Sequence, residues 1–170
     1  MPAAPCNIVS VTLSLSAATT SHFCSPVMLD VDITALLPHR PPMLLVQGIL
    51  DIDLEEEYIL AAARCSTKDL LYDAELGGVA PAAAIEIQAQ AIGLFSGYSD
   101  MMQGKRPANM GKLLSVKQYK VYTTALPVDI PLQVEARSVL NAPPVGVFVC
   151  NIRAGEQLLS EAEITVYRED

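Results

Sequence analysis

Hydrophobic and polar positions change rhythm three times along this chain. After Met28, Asp32 can cap a short helix, Ile33 to Leu37, that Pro38 stops. Met43 to Ile52 (MLLVQGILDI) is apolar enough for a buried strand. Asp53 to Glu57 form an acidic turn, and Tyr58 to Cys65 return as a second strand. Residues 66–81, with Gly77, Gly78 and Pro81, give an irregular loop. Ala82 to Tyr98 (AAAIEIQAQAIGLFSGY) is the strongest helical signal: good helix formers after a proline, with Gly97 near the end. It is apolar almost all round, as expected of a helix buried on most sides. From residue 110 the period becomes two. Leu113–Thr123, Leu132–Leu140, Val145–Arg153 and Gln157–Tyr167 predict four strands joined by short, turn-like links. Such links imply antiparallel pairing. The expected class is α+β: an antiparallel sheet of about six strands wrapped around one long buried helix.

Composition narrows the function. The chain has 170 residues, 51% of them hydrophobic and 18% charged, so intrinsic disorder is excluded and a sizeable core is within reach. Its net charge of −8 argues against wrapping nucleic acid, which needs clustered positive charge. No membrane span is expected, because the most apolar stretch, Val79 to Ile85, is broken at Glu86. Cys6, Cys24, Cys65 and Cys150 lie far apart with no CxxC, which suggests neither zinc nor a disulfide but apolar filler in a reducing cytoplasm. Residues 1–27 contain no Lys, Arg, Asp or Glu and show no clear period. They are expected to be a disordered extension or an upstream translation start, leaving residues 28–170 as the domain.

Candidate chemistry lies on the long helix. A carboxylate in so apolar a helix needs compensation. On a helical wheel Gln90 lies about 40° from Glu86, and Gly93 and Gly97 about 20° to either side, whereas Gln88 is opposite. This stripe suits a slot in which a chain-like ligand passes an acid/base group, and burial would raise the pKa of Glu86 toward neutrality. Backbone N–H groups near Gly78, Val79 and Ala82, at the helix start, could polarise a carbonyl oxygen. Equally, Glu86 and Gln90 could hydrogen-bond across a dimer interface, with the glycines permitting close packing.

Leu37-Pro38-His39-Arg40-Pro41-Pro42-Met43-Leu44-Leu45-Val46 resembles the opening motif of the hotdog-fold 3-hydroxyacyl-[acyl carrier protein] dehydratases. Ala84-Ile85-Glu86-Ile87-Gln88-Ala89-Gln90 resembles their central helix, where Gln follows Glu by four residues. Gly111-Lys112-Leu113-Leu114-Ser115-Val116-Lys117 and the strand closing at Tyr167 are similar to the small thioester dehydratases of aryl polyene biosynthesis. The resemblance spans about 30–168. It implies a hotdog fold, usually a dimer, that removes water from a 3-hydroxyacyl thioester on an acyl carrier protein to give the trans-2-enoyl thioester. No cofactor or metal is implied. In such enzymes a His takes the α proton, an acidic residue on the partner's central helix assists loss of the hydroxyl, and amides at the helix start hold the thioester oxygen. Glu86 matches the acid and Gln90 the family's Gln; Gly78, Val79, Ala82 and Gly93 are the remaining substrate-binding candidates.

One departure stands out. The family's His-Phe-Pro-Gly motif is replaced by Tyr72-Asp73-Ala74-Glu75-Leu76-Gly77-Gly78-Val79-Ala80-Pro81, which contains no His. Of the two histidines, His22 lies in the extension, so His39 becomes the candidate base, or else a hydrogen-bonded histidine fixing the turn. Tyr72, Asp73 and Glu75 could replace the missing group but read more simply as loop residues. Lys105, Arg106, Lys112, Lys117 and Lys120 gather within 105–120, where they could steer an acidic carrier protein or simply keep a loop and strand face solvated. Three functions are thus open: a dehydratase using Glu86 and His39; a non-catalytic or half-catalytic subunit that binds acyl chains or pairs with a His-containing sister; and a thioesterase in which Glu86 or Asp73 activates water.

Overall fold

A computed structural model describes residues 27–107 and 111–168. Of the expected extension over residues 1–27, all but Val27 lies outside the described residues, Cys6, His22 and Cys24 included. The elements in chain order are α1 (Ile33–Leu36), β1 (Val46–Asp53), β2 (Tyr58–Arg64), β3 (Tyr72–Asp73), β4 (Gly78–Val79), α2 (Ala83–Met102), β5 (Gly111–Val121), β6 (Pro131–Ala142), β7 (Val145–Ala154) and β8 (Gln157–Arg168). Six strands form one antiparallel sheet in the order β1-β2-β6-β7-β8-β5, and β3 pairs with β4 as a separate two-residue ribbon. The sheet packs on α2, giving the α+β arrangement expected from the pattern and the hotdog fold implied by the resemblance.

Small residues let helix and sheet approach. Ala61 and Ala63 of β2 and Ala136 of β6 are buried beneath Ala84 and Ala91 of α2, with Ile49, Ile59, Val134, Ile152 and Ile164 filling the space around them. Cys65 and Cys150 are free thiols inside this core, in the filler role expected of them. No described helix is long and apolar enough to cross a membrane.

Three element boundaries differ from the sequence pattern. The long helix does not end near Gly97. It runs on to Met102 and closes at Gln103 with Gly104 at φ +69°, the left-handed position that favours glycine. The first strand begins at Val46 rather than Met43, because the backbone of Met43 and Leu45 bonds to Gln90 instead of to a strand. The loop over 66–81 contains the β3–β4 ribbon. There Asp73 Oδ1 accepts from the N–H groups of Glu75 and Leu76, and Gly77 turns at φ +64°.

The sheet ends at β5, which pairs with β8 alone among the described strands. Most of its residues are solvent-exposed, including Leu113 and Leu114.

Candidate active site

Chain chemistry explains why the residues at 37–45 and the helix stripe meet. Asp32 caps α1 through the N–H of Thr34. Arg40 then ties the turn together, donating to the carbonyls of Thr34, Leu37 and His39. The segment lies against α2 where the helix has no side chains to obstruct it. A Cβ on Gly93 would come within 2.6 Å of Leu37 Cδ2, and one on Gly97 would overlap the Leu36 carbonyl oxygen. The glycine of the stripe at 97 therefore serves intrachain packing, while Gly93 serves packing and also lines a cavity.

Docking of this segment brings His39 to Glu86. His39 Nε2 stands 3.4 Å from Glu86 Oε1. The same oxygen accepts a 2.8 Å hydrogen bond from Gln90 Nε2, which also donates to the Met43 carbonyl at 2.7 Å. Gln90 Oε1 in turn accepts from the Leu45 N–H at 2.8 Å. Gln90 is almost fully buried, and its amide is committed to protein partners at both ends. It also lines the cavity beside Glu86, so it braces the helix against the chain entering β1 from a position on the cavity wall. The bond from Gln90 to Glu86 is made within one chain; the cross-interface pairing considered from the sequence is not needed to satisfy it.

The carboxyl group of Glu86 is less enclosed than the helix pattern suggests. Its side chain is 38% exposed and that of His39 35%, because both form the wall of an open cavity of about 430 Å³. The cavity runs along α2 past Ala89, Gly93 and Ser96 toward β5 and the end of β8, with Leu37, Leu113 and Val166 supplying apolar surface. With Oε1 engaged, Oε2 is the carboxylate oxygen left to a ligand. His39 Nδ1 is buried and has no partner among the described residues, so Nε2 is the nitrogen through which this histidine communicates with the cavity.

The other candidates fall elsewhere. Gly78, Val79 and Ala82 do not line this cavity. The Val79 N–H is already bonded to the Leu126 carbonyl, and a Cβ on Gly78 would collide with that same oxygen, so β4 is sealed against the chain before β6. Ala82 forms the N-cap of α2 without a side-chain bond. Asp73 caps its own turn, as described, and Glu75 is exposed. Of the basic cluster, Lys105 and Arg106 are exposed beyond α2, and Lys112 lies at the cavity over the Tyr167 ring. Lys117 sits opposite Glu163 in register, and Lys120 forms a 2.8 Å ion pair with Glu161. That pair, with a bond from the Tyr122 hydroxyl, holds the Glu161 carboxyl below its usual range. The cluster is therefore partly neutralised by its neighbouring strand.

Two groups near the site escaped the sequence reading. Tyr119 reaches from β5 to donate to the Pro81 carbonyl at the start of α2, and burial pushes its phenol upward. Arg168 pairs with Asp100, a buried acid on the last turns of α2. An acid at 100, fourteen residues beyond Glu86 on a helix read as apolar, was the available signal for the second of these; periodicity ending the helix at Tyr98 concealed it.

Comparison with known proteins places this geometry in context. The model of the ApeP-like family, described as ApeP dehydratase, matches residues 31–170. The 3-hydroxyacyl-[acyl-carrier-protein] dehydratase FabZ of Chlamydia trachomatis is 28% identical over 143 residues, covering 82% of this chain and 92% of its own. Its counterpart in Chlamydia muridarum matches at the same identity and coverage. Among solved structures, the dehydratase heterocomplex ApeI:P from Xenorhabdus doucetiae superposes with a TM-score of 0.75 at 20% identity, covering 82% of this chain and 92% of that one. A sigma28-regulated virulence protein from Campylobacter jejuni reaches 0.59 at 15% identity, covering 82% and 97%. These structural likenesses speak for the fold. With the family model spanning nearly all the described residues, the chain belongs to the ApeP-like dehydratases.

Proposed function

We propose that this protein removes water from a 3-hydroxyacyl thioester carried on an acyl carrier protein, giving the trans-2-enoyl thioester, and that Glu86 is the group that moves the proton. The observation behind this reading is the Glu86 carboxylate held by Gln90 beside His39 on the wall of a largely apolar cavity, in a chain of a dehydratase family. The substrate class is that in the name of the chlamydial relative. Glu86 Oε2 takes the proton from C2 as the thioester oxygen gathers charge. The C3–O bond then breaks, and the departing hydroxyl receives that proton, leaving as water with the carboxylate restored. Gln90 Nε2 keeps Oε1 occupied and aims Oε2, with His39 Nε2 3.4 Å from Oε1. Lys112 lines the cavity and Lys105 the one beside it, and both suit the approach of an acidic carrier.

The test uses purified protein and 3-hydroxyacyl carrier protein, read as the mass of the loaded acyl group. A loss of one water is expected, and Glu86→Gln should lower the rate by about a hundredfold to ten-thousandfold. Full activity in that variant would refute the role of Glu86.

A second reading has its own observation. Residues 72–81 hold no His, and the similar structure from Xenorhabdus doucetiae is a heterocomplex. In this reading a sister hotdog subunit supplies the base, and Glu86 supplies the acid that protonates the leaving hydroxyl. Turnover that appears only on mixing with such a subunit would select it.

A further inference from the structure

The cavity beside Glu86 adjoins a second one. At its far end it is lined by Ser96, Val166 and Arg168, and these three residues also line a second cavity of about 220 Å³. The second cavity continues along the last turns of α2 past Ser99 to Gln103, beneath the β6–β7 turn at Pro143 and Pro144. From Glu86 to Ser96 the helix rises about 15 Å, so the first cavity extends well beyond the reacting carbons of a bound substrate.

Both cavities keep an apolar wall on either side of this junction. The first cavity takes its apolar wall from Leu36, Leu37, Ile92, Leu113 and Val166; the second keeps apolar surface from Phe95, Val145 and Phe148 and adds Ser99, Gln103, Lys105 and Asn141. Arg168 stands between the two. Its Nη1 lies 3.2 Å from Asp100 Oδ1, and Asp100 is only 4% exposed. Pushing the guanidinium aside would strip a buried carboxylate of a cationic partner, which is strongly unfavourable. A hydrocarbon terminus offers nothing in exchange.

We propose that Arg168, held by Asp100, is the stop that sets the length of acyl chain this protein accepts. The inference rests on the reading of the first cavity as the acyl site. Chains that end before Arg168 bury each added carbon against the apolar wall. Longer chains meet the ion pair, and their last carbons stay outside the favourable surface. Arg168 is here a specificity residue, remote from the bond that breaks.

The experiment measures binding rather than turnover, so that it stands apart from the assignment of the reaction. Saturated acyl-pantetheine thioethers of increasing length, which cannot react, are titrated against the full chain. Affinity should rise by about fourfold per carbon while the chain lengthens inside the first cavity, and then level off. In Arg168→Met the rise should continue for about two or three further carbons, the second cavity having been opened. Arg168→Lys, which keeps the cation, should level off where the natural protein does. Because Arg168→Met leaves Asp100 without this partner, the double variant Arg168→Met/Asp100→Asn is measured beside it and should show the same extended rise in a better-folded protein. An unchanged levelling point in both Met variants would overturn the proposal. A flat profile at every length in the natural protein would instead remove the acyl-site reading beneath it.

Discussion

Glu86 Oε1 is approached from two sides, by His39 across the cavity and by Gln90 from one helical turn away. Gln90 has the greater leverage because its other contacts reach Met43 and Leu45, just beyond the turn that carries His39. Replacing it by alanine removes three hydrogen bonds and leaves the Leu45 N–H and Met43 carbonyl to find new partners, at a cost of about 1–3 kcal/mol for each group left buried and unsatisfied. Gln90→Ala should therefore shift the denaturation midpoint downward. It should also reduce kcat by about tenfold to a hundredfold, since Glu86 loses its brace. A stability loss with unchanged kcat would mean that His39 alone orients the carboxylate. That positions 86 and 90 share one face of the helix was legible from their spacing. Their mutual bond and the exposure of Glu86 were not, because the wheel angle places residues on a face without saying how much of that face another segment covers.

At the level of elements, the meeting of α1 and α2 decides whether the site exists. Gly97 lies directly beneath the Leu36 carbonyl, so Gly97→Ala must push α1 away from the helix. Crowding of this kind costs about 1–3 kcal/mol and would draw His39 away from Glu86. The expected outcome is a lower melting temperature together with a lower kcat. By contrast, Gly104→Ala meets no neighbouring atom and should affect only the local turn through its positive φ. The strand pattern from residue 111 onward was readable to within a few residues, since alternation reports directly on which face is buried. The end of α2 was misjudged for a specific reason. A glycine near the last apolar turn signals a stop only when it adopts a left-handed conformation, and Gly97 is instead helical and buried for the sake of a neighbour. Likewise, Met43 to Leu45 look like strand because they are apolar, yet their hydrogen-bonding partner is a side chain forty-five residues away.

For the molecule as a whole, the core contains groups that resist ionisation. Burial pushes the Cys65 thiol up to about 11 and the Cys150 thiol up to about 12, with Asp69 and Glu135 respectively adding to the effect. Burial also raises Tyr58 and Tyr119. Above the ordinary thiol value near 9, the unfolded chain gives up these protons while the folded chain keeps them. The unfolded state then binds fewer protons, so stability declines as pH rises through this range and is fully retained below it. Melting temperatures recorded from about pH 8 to about pH 11 should fall progressively, and Cys65→Ser/Cys150→Ser, compared with its own value at pH 8, should show a shallower fall. The same burial should leave both thiols unlabelled by an alkylating reagent until denaturant is added, as read by peptide mass mapping.

The β5 margin has a consequence for how the protein behaves in a crowded cell. Eleven residues there present one flank of amide and carbonyl groups to any extended peptide that drifts past, an invitation to indiscriminate lamination. Lysines at 112, 117 and 120 punctuate that flank. Lys120 is already paired with Glu161 and Lys117 faces Glu163, so only part of that charge is left to turn away a basic newcomer.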